Sequence, residues 1–97
     1  MITRIVKMTF VPERVSEFLE VFDANKERIA GFEGCTHLKL LHDINDPSIF
    51  FTYSHWDSVE HLNKYRDSDL FAGVWNQTKI LFAAKAEAWS VDVKFER

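Results

Sequence analysis

The stretch Ser54–Gln77, SHWDSVEHLNKYRDSDLFAGVWNQ, is central to the fold that we predict because it joins a strand end to two helical segments. An alternating apolar run stops at Trp56, and Asp57 and Ser58 follow it with side chains that accept hydrogen bonds from a first helical turn. Asp57 and Glu60 have the spacing of a capping box. A helix is therefore predicted to begin directly after Trp56.

A polar break at residues 67–69, Asp-Ser-Asp, divides this helix into two pieces. Cap-forming residues start a new helix there, and apolar residues recur at helical spacing on both sides of the break. These residues are Val59, Leu62, Tyr65, Leu70, Phe71, Val74, Trp75 and Thr78. We expect Tyr65, Phe71 and Trp75 to cover the layer beneath them, and two of these three combine an apolar ring with a hydrogen-bonding group.

Composition limits the chain to a few classes of protein. Its 97 residues suit a single domain, 1–97, and 46% hydrophobic residues exclude a disordered chain. The net charge of -3 and the absence of a basic run argue against nucleic acid and against an anionic membrane surface as partners. Cys35 is the only cysteine, so the chain forms no internal disulfide and no cysteine-based metal site.

The hydropathy pattern predicts no membrane segment. No run of about 20 apolar residues occurs, which a transmembrane helix requires. The first ten residues, MITRIVKMTF, interleave Arg4 and Lys7 with apolar residues and lack the continuous apolar stretch of a signal peptide. We therefore expect a cytoplasmic protein.

The remaining elements follow from periodicity and turn residues. An alternating strand is predicted over Ile2–Phe10, and a helix follows from Pro12 to Ala30 and is ended by Gly31 and Gly34. The turn Asn45–Ser48 separates two further strands. The predicted strands after the first are Thr36–His42, Ile49–Trp56 and Glu87–Phe95.

The order strand, helix, strand, strand, helix, strand predicts an α+β fold of the ferredoxin-like, βαββαβ kind. Such a fold has a four-stranded antiparallel sheet with its helices on one face. The other face carries apolar residues such as Ile5, Leu41 and Phe51. Because contiguous exposed apolar area usually marks an interface, we predict a homodimer in which two sheets pack face to face.

With this order in hand, the chain resembles the antibiotic biosynthesis monooxygenase family, a group of small dimeric α+β barrels. The resemblance spans nearly the whole chain. It rests on Phe18, Phe22 and Ile29 of the first helix, the turn Phe32–Cys35, the junction Trp56–Ser58, and the series Tyr65, Ser68 and Phe71. These motifs are diffuse, so they support the fold more than a reaction.

The resemblance implies oxygenation of a small aromatic, quinol-like substrate by dioxygen without metal, flavin or haem. Many members have a His where this chain has Tyr65. The related haem-degrading branch uses an Asn, a Trp and a haem-ligating His where this chain has Lys7, Tyr65 and Trp75. The resemblance therefore disfavours haem degradation.

All candidate site residues lie within Ser54–Gln77. Tyr65, His61 and Asn63 are the candidate catalytic or polar contacts, and Tyr65 is the strongest because a phenol on an apolar helix face needs a partner or a cavity. Trp56, Phe71 and Trp75 are candidate substrate contacts. Large aromatics at regular spacing more often pack in a core, so core packing is the alternative for these three.

The sequence contains no motif typical of a different kind of site. The histidines show neither the helical spacing nor the accompanying carboxylate of a metal site, so no metal is predicted. Two alternatives to an oxygenase stay open, since one fold hosts many functions. One is a non-catalytic or stress-related module that binds a small hydrophobic ligand, and the other is an enzyme that isomerises or degrades a small carbonyl compound.

Overall fold

The computed structural model describes residues 1–97 as one antiparallel sheet with three helices. A short 3-10 turn at Pro12–Arg14 leads into the first helix, as Pro at a helix start favours. The strands are β1 (Ile2–Thr9), β2 (Cys35–His42), β3 (Ile49–Trp56) and β4 (Glu87–Val91). The helices are α1 (Val15–Ala30), α2 (Val59–Arg66) and α3 (Asp69–Lys79). None of the helices is long and apolar enough to span a bilayer.

The four strands lie in the order β2-β3-β1-β4, and every neighbouring pair is antiparallel. Strand β1 is central and pairs with both β3 and β4. Side chains alternate between the two faces of such a sheet, so only one residue in two faces the helices. The predicted ferredoxin-like α+β fold is confirmed.

The predicted division of the second helix is also confirmed, and a serine caps each piece. The hydroxyl of Ser58 accepts a hydrogen bond from the backbone N–H of His61 at 3.1 Å, and that of Ser68 accepts one from Phe71 N–H at 3.1 Å. The predicted capping box of Asp57 was one residue out of register. Asp57 is exposed, and the extended backbone of Ser58 places its hydroxyl over the first turn instead.

Strand β4 is shorter than predicted, since it ends at Val91 instead of Phe95. Val91 pairs with Thr3, next to the first residue of β1, so β1 has almost no backbone left to pair with later residues. Val93 and Phe95 are accordingly exposed, with 87% of Phe95 accessible. Alternation alone did not show where the partner strand ends.

The core fills one end of the space between the sheet and the helices. Phe10 is fully buried, and its ring stacks on Phe18 of α1 with centroids 4.2 Å apart. Met8, Phe50 and Leu81 complete this cluster of buried residues. The aromatic residues that were candidates for a site lie farther along the same layer, beyond this core.

The turn between α1 and β2 brings the chain close to α2. Gly34 has a φ of 89°, which side-chain-bearing residues rarely adopt, whereas Gly31 has an ordinary φ of -89°. A Cβ atom at Gly34 would lie 2.4 Å from Cβ of His61. Only the second of the two predicted glycines therefore needs the conformational freedom of glycine.

Candidate functional site

A cavity of about 340 Å³ lies between the helix-facing side of the sheet and the three helices. Its lining is mostly apolar, which is typical of small-molecule sites. Strands β1 and β3 supply alternate residues to its floor, as the pleat requires. The lining residues include Arg4, Val6, Met8, Leu38, Thr52, Ser54 and Trp56 from the sheet and Phe18, Phe22, Ile29, Leu62, Tyr65, Arg66, Phe71, Val74, Trp75 and Thr78 from the helices.

One wall of the cavity is a continuous chain of aromatic rings. Tyr65 stacks on Trp56 with centroids 4.9 Å apart, and Phe71 meets the edge of Tyr65 at 5.2 Å. Trp75 stacks on Phe71 at 5.9 Å, with the rings almost parallel. The split helix brings these rings together because Tyr65 lies in the last turn of α2 and Phe71 in the first turn of α3, on either side of the Ser68 cap.

Trp56, Phe71 and Trp75 each line the cavity, although they also pack against one another. Trp56 is only 1% exposed, and its indole N–H donates to the hydroxyl of Ser54 at 2.9 Å. It therefore has no free polar group for a ligand. The structure brings these three predicted contacts together, and their contact with a substrate stays a prediction.

Tyr65 is the polar member of the aromatic wall. No protein group is hydrogen-bonded to its hydroxyl, and that hydroxyl is not sealed from solvent, so it is free to bond a ligand. Burial, and secondly the neighbouring Cys35, raise the pKa of Tyr65 to about 12. At neutral pH the phenol is therefore protonated, and it acts as a hydrogen-bond donor and not as a base.

The raised pKa of Tyr65 predicts a loss of stability at alkaline pH. The unfolded phenol ionises near pH 10 and the folded one near 12, so the free energy of unfolding falls as pH rises through this window. We expect wild type to lose about 1 kcal/mol more than Tyr65→Phe between pH 9 and pH 11. Urea unfolding of both proteins measures this difference, and parallel pH curves would contradict it.

The other two candidate catalytic residues lie outside the cavity. His61 Nδ1 is 2.7 Å from the hydroxyl of Ser58, so its ring is tied to the start of α2. It borders a shallow surface depression with Glu33, Glu60 and Lys64. Asn63 is exposed on α2. The helix turns both residues away from Leu62 and Tyr65, and nothing in this geometry connects them with a ligand in the cavity.

Sequence reasoning missed the two charged residues of the cavity, Arg4 and Arg66. Arg4 shares one side of β1 with the apolar residues Val6 and Met8, and a charge within an apolar face was the signal that could have identified it. Arg66 follows Tyr65 directly at the end of α2. Both supply guanidinium groups to a mostly apolar lining.

The lining contains no Asp, Glu or His side chain. It therefore offers hydrogen-bond donors and positive charge but no side chain that would act as a base at neutral pH. No three His, Cys, Asp or Glu side chains converge anywhere in the chain in a way that would hold a metal ion. The arrangement is suited to stabilising a negative charge that develops on a ligand.

Comparison with known proteins agrees with this architecture. The sequence model of the family described as Antibiotic biosynthesis monooxygenase matches residues 1–74. No curated protein matches the chain. Among solved structures, a conserved protein from Methanosarcina mazei Go1 is similar with a TM-score of 0.90 and 22% identity, covering 97% of this chain and 94% of that one.

Two further solved structures show the same fold. A protein described as antibiotic biosynthesis monooxygenase has a TM-score of 0.90 at 17% identity, with 96% of this chain and 98% of that chain covered. Rv0793 from Mycobacterium tuberculosis has a TM-score of 0.89 at 16% identity, with 98% and 96% covered. At these identities the likeness concerns the fold.

Proposed function

Because this chain belongs to the antibiotic biosynthesis monooxygenase family, we propose that it is a monooxygenase that oxidises a small aromatic, quinol-like substrate with dioxygen. The proposal includes no metal, flavin or haem. The observation that carries it is the free, protonated hydroxyl of Tyr65 on the aromatic wall of the cavity. The aromatic wall would hold a flat ring by stacking, and the hydroxyl would donate to an oxygen on it.

The proposed reaction draws its electrons from the substrate. A phenol, quinol or anthrone first loses a proton, and the resulting electron-rich anion reacts with dioxygen. When a ring methylene becomes a carbonyl, one oxygen atom enters the product, and the other leaves as water with the two methylene hydrogens. The substrate thereby supplies all four electrons that reduce dioxygen.

The role of the protein in this reaction would be to stabilise the anion. Since no carboxylate or imidazole lines the cavity, the substrate would release its proton to solvent water as it enters, and not to a side chain inside. Tyr65 would donate a hydrogen bond to the substrate oxyanion, and the apolar lining would strengthen that bond by excluding water. A carbonyl isomerase is less well supported, because it must carry a proton from one substrate atom to another and the cavity has no carboxylate or imidazole to do so.

Oxygen uptake tests the proposed function. Metal-stripped protein is supplied with a panel of quinols and anthrones, beside a protein-free control. We expect uptake above the control, and a fall of about a hundredfold in kcat for Tyr65→Phe because one oxyanion donor is lost. Tyr53→Phe makes the same change on the opposite face of the sheet and is expected to retain the wild-type rate.

Other outcomes of this assay distinguish the alternatives. Absence of uptake with every substrate, together with thermal stabilisation by one of them, would favour a non-catalytic binding module. Product formation under nitrogen would favour isomerisation or breakdown of a carbonyl compound. Equal rates for wild type and Tyr65→Phe would remove Tyr65 from the proposed mechanism.

A homodimer through the outer face of the sheet is part of the proposal. Cross-strand pairing places an apolar band diagonally across this face, with Lys7, Lys39 and the histidines His37 and His55 beside it. A band of this kind on a flat sheet is suited to self-association. Its members are Leu41, Phe51, Tyr53, Ile5, Trp89 and Val91.

The proposed partners are thus an aromatic small molecule, dioxygen and a second copy of the chain. We also propose a cytoplasmic location. The single free cysteine, Cys35, supports it because proteins of oxidising compartments commonly pair their cysteines.

A further inference from the structure

Two arginines mark the mouth of the aromatic cavity. Arg4 lies on β1 and Arg66 at the end of α2, and both line the cavity. Arg66 and Ala88 of β4 are exposed although they are part of the lining, so the cavity opens between β4 and α2. The two guanidinium groups therefore lie where a ligand would enter.

Neither arginine is neutralised by the chain itself. The four ion pairs of the structure are Lys7–Glu87, Arg14–Glu17, Lys26–Asp23 and Lys64–Glu33, and none includes Arg4 or Arg66. The one side-chain hydrogen bond of Arg4 goes from Nη1 to the neutral hydroxyl of Ser90, at 3.0 Å. The cavity lining holds no carboxylate. Two positive charges therefore face this space without an acidic partner.

The two charges also act on each other. Burial, and secondly the charge of Arg66, lower the pKa of Arg4 from its ordinary value, although arginine stays protonated at neutral pH. Holding two like charges near each other, one of them half-buried, costs free energy that an anion between them would recover. Arginine also binds carboxylates in a planar, two-pronged geometry that favours this pairing.

We propose that Arg4 and Arg66 bind a carboxylate of the substrate at the cavity mouth, so that the substrate is an aromatic acid. The inference rests on the proposed function for the aromatic ring itself, which lies deeper, against Trp56, Tyr65 and Phe71. A volume of about 340 Å³ is at the small end of ligand cavities, so it suits an acid with one or two rings.

A matched pair of ligands tests this assignment. 2-Naphthoate and 2-naphthamide have the same ring and nearly the same shape, but only the first is charged at neutral pH. Calorimetric titration measures both against wild type, Arg4→Met, Arg66→Met and the double variant. Arg28→Met removes the same charge from α1 at a position outside the cavity and is the control.

We expect wild type and Arg28→Met to bind 2-naphthoate at least about tenfold more tightly than 2-naphthamide, since hydrogen bonds to charged groups are the strong ones. Each cavity variant is expected to lose most of this preference, and the double variant all of it. Salt is expected to weaken binding of the acid and to leave binding of the amide unchanged. If Arg4→Met folds poorly, Arg66→Met still tests the assignment by itself. Arg66 is exposed, so its replacement should leave the fold intact.

The outcomes separate this inference from the proposed function. Equal affinity of wild type for the two ligands would overturn the carboxylate site and leave an aromatic cavity in place. A preference for the acid that persists in the double variant would also overturn it. Failure of both ligands to bind would overturn the inference together with its aromatic premise. Because the titration needs no turnover, an absence of oxygen uptake would leave a measured acid preference standing.

Discussion

Gly34→Ala is expected to lower the free energy of unfolding by about 3 kcal/mol, since a strained backbone and a steric clash add together. The φ of 89° at Gly34 is unfavourable for alanine, and the new Cβ would lie 2.4 Å from Cβ of His61. That atom is fixed close to the backbone of α2, so the whole helix must shift. For a chain of this size the melting temperature should fall by roughly 10–20 °C.

Gly73→Ala makes the same chemical change with the opposite expected sign. Gly73 lies within α3, and, apart from its chain neighbours and the backbone of its own helix, no atom is within 4 Å of where its Cβ would be. Alanine favours the helix over glycine, so the free energy of unfolding should rise by about 0.5–1 kcal/mol. Thermal and urea unfolding measure both variants. A Gly34→Ala protein as stable as wild type would show that the turn and α2 are not in close contact.

The same turn sets the geometry of the candidate site. The backbone N–H of Asp57 donates to the carbonyl of Gly34 at 2.8 Å, which ties the end of β3 to the turn before β2. Helix α2 starts directly beyond this bond and carries Tyr65 to its stack on Trp56. A glycine without a chemical role therefore fixes how closely the helix, and the tyrosine with it, approach the sheet.

Trp89→Glu is expected to convert the proposed homodimer into monomers. Trp89 is 44% exposed on β4 and belongs to the apolar band of the outer face. In a face-to-face dimer the substitution replaces a large aromatic contact with a buried, unpaired carboxylate. We expect the dissociation constant to rise by about a hundredfold or more. Sedimentation velocity across a range of protein concentrations measures it.

Ile80→Glu is the matched control for the dimer. Ile80 is 63% exposed, follows α3 and lies outside the apolar band, so the same type of substitution there should leave the dimer intact. Circular dichroism verifies that both variants are folded. A wild-type protein that is monomeric at tens of micromolar, or a Trp89→Glu protein that dimerises as tightly as wild type, would contradict the proposed interface.

Most of the fold could be predicted from local sequence patterns. The cap residues Ser58 and Ser68 lie in sequence beside the helices that they start, and the apolar spacing around them is a property of a few neighbouring residues. The boundary of β4 could not be predicted in this way, because a strand ends where its partner ends. Here the partner is Thr3, which is distant in sequence from Val91.

The candidate site, like the fold, was predictable only in part. The sequence alone placed Leu62 and Tyr65 on one side of α2 and Phe71 and Trp75 on one side of α3, since residues three or four apart in a helix share a face. It did not show that Arg4 and Arg66 meet at one opening, or that His61 is tied to Ser58 at the surface. Those relations depend on how α2 packs on the sheet, and they are visible only in the folded chain, because they join residues that no local pattern connects.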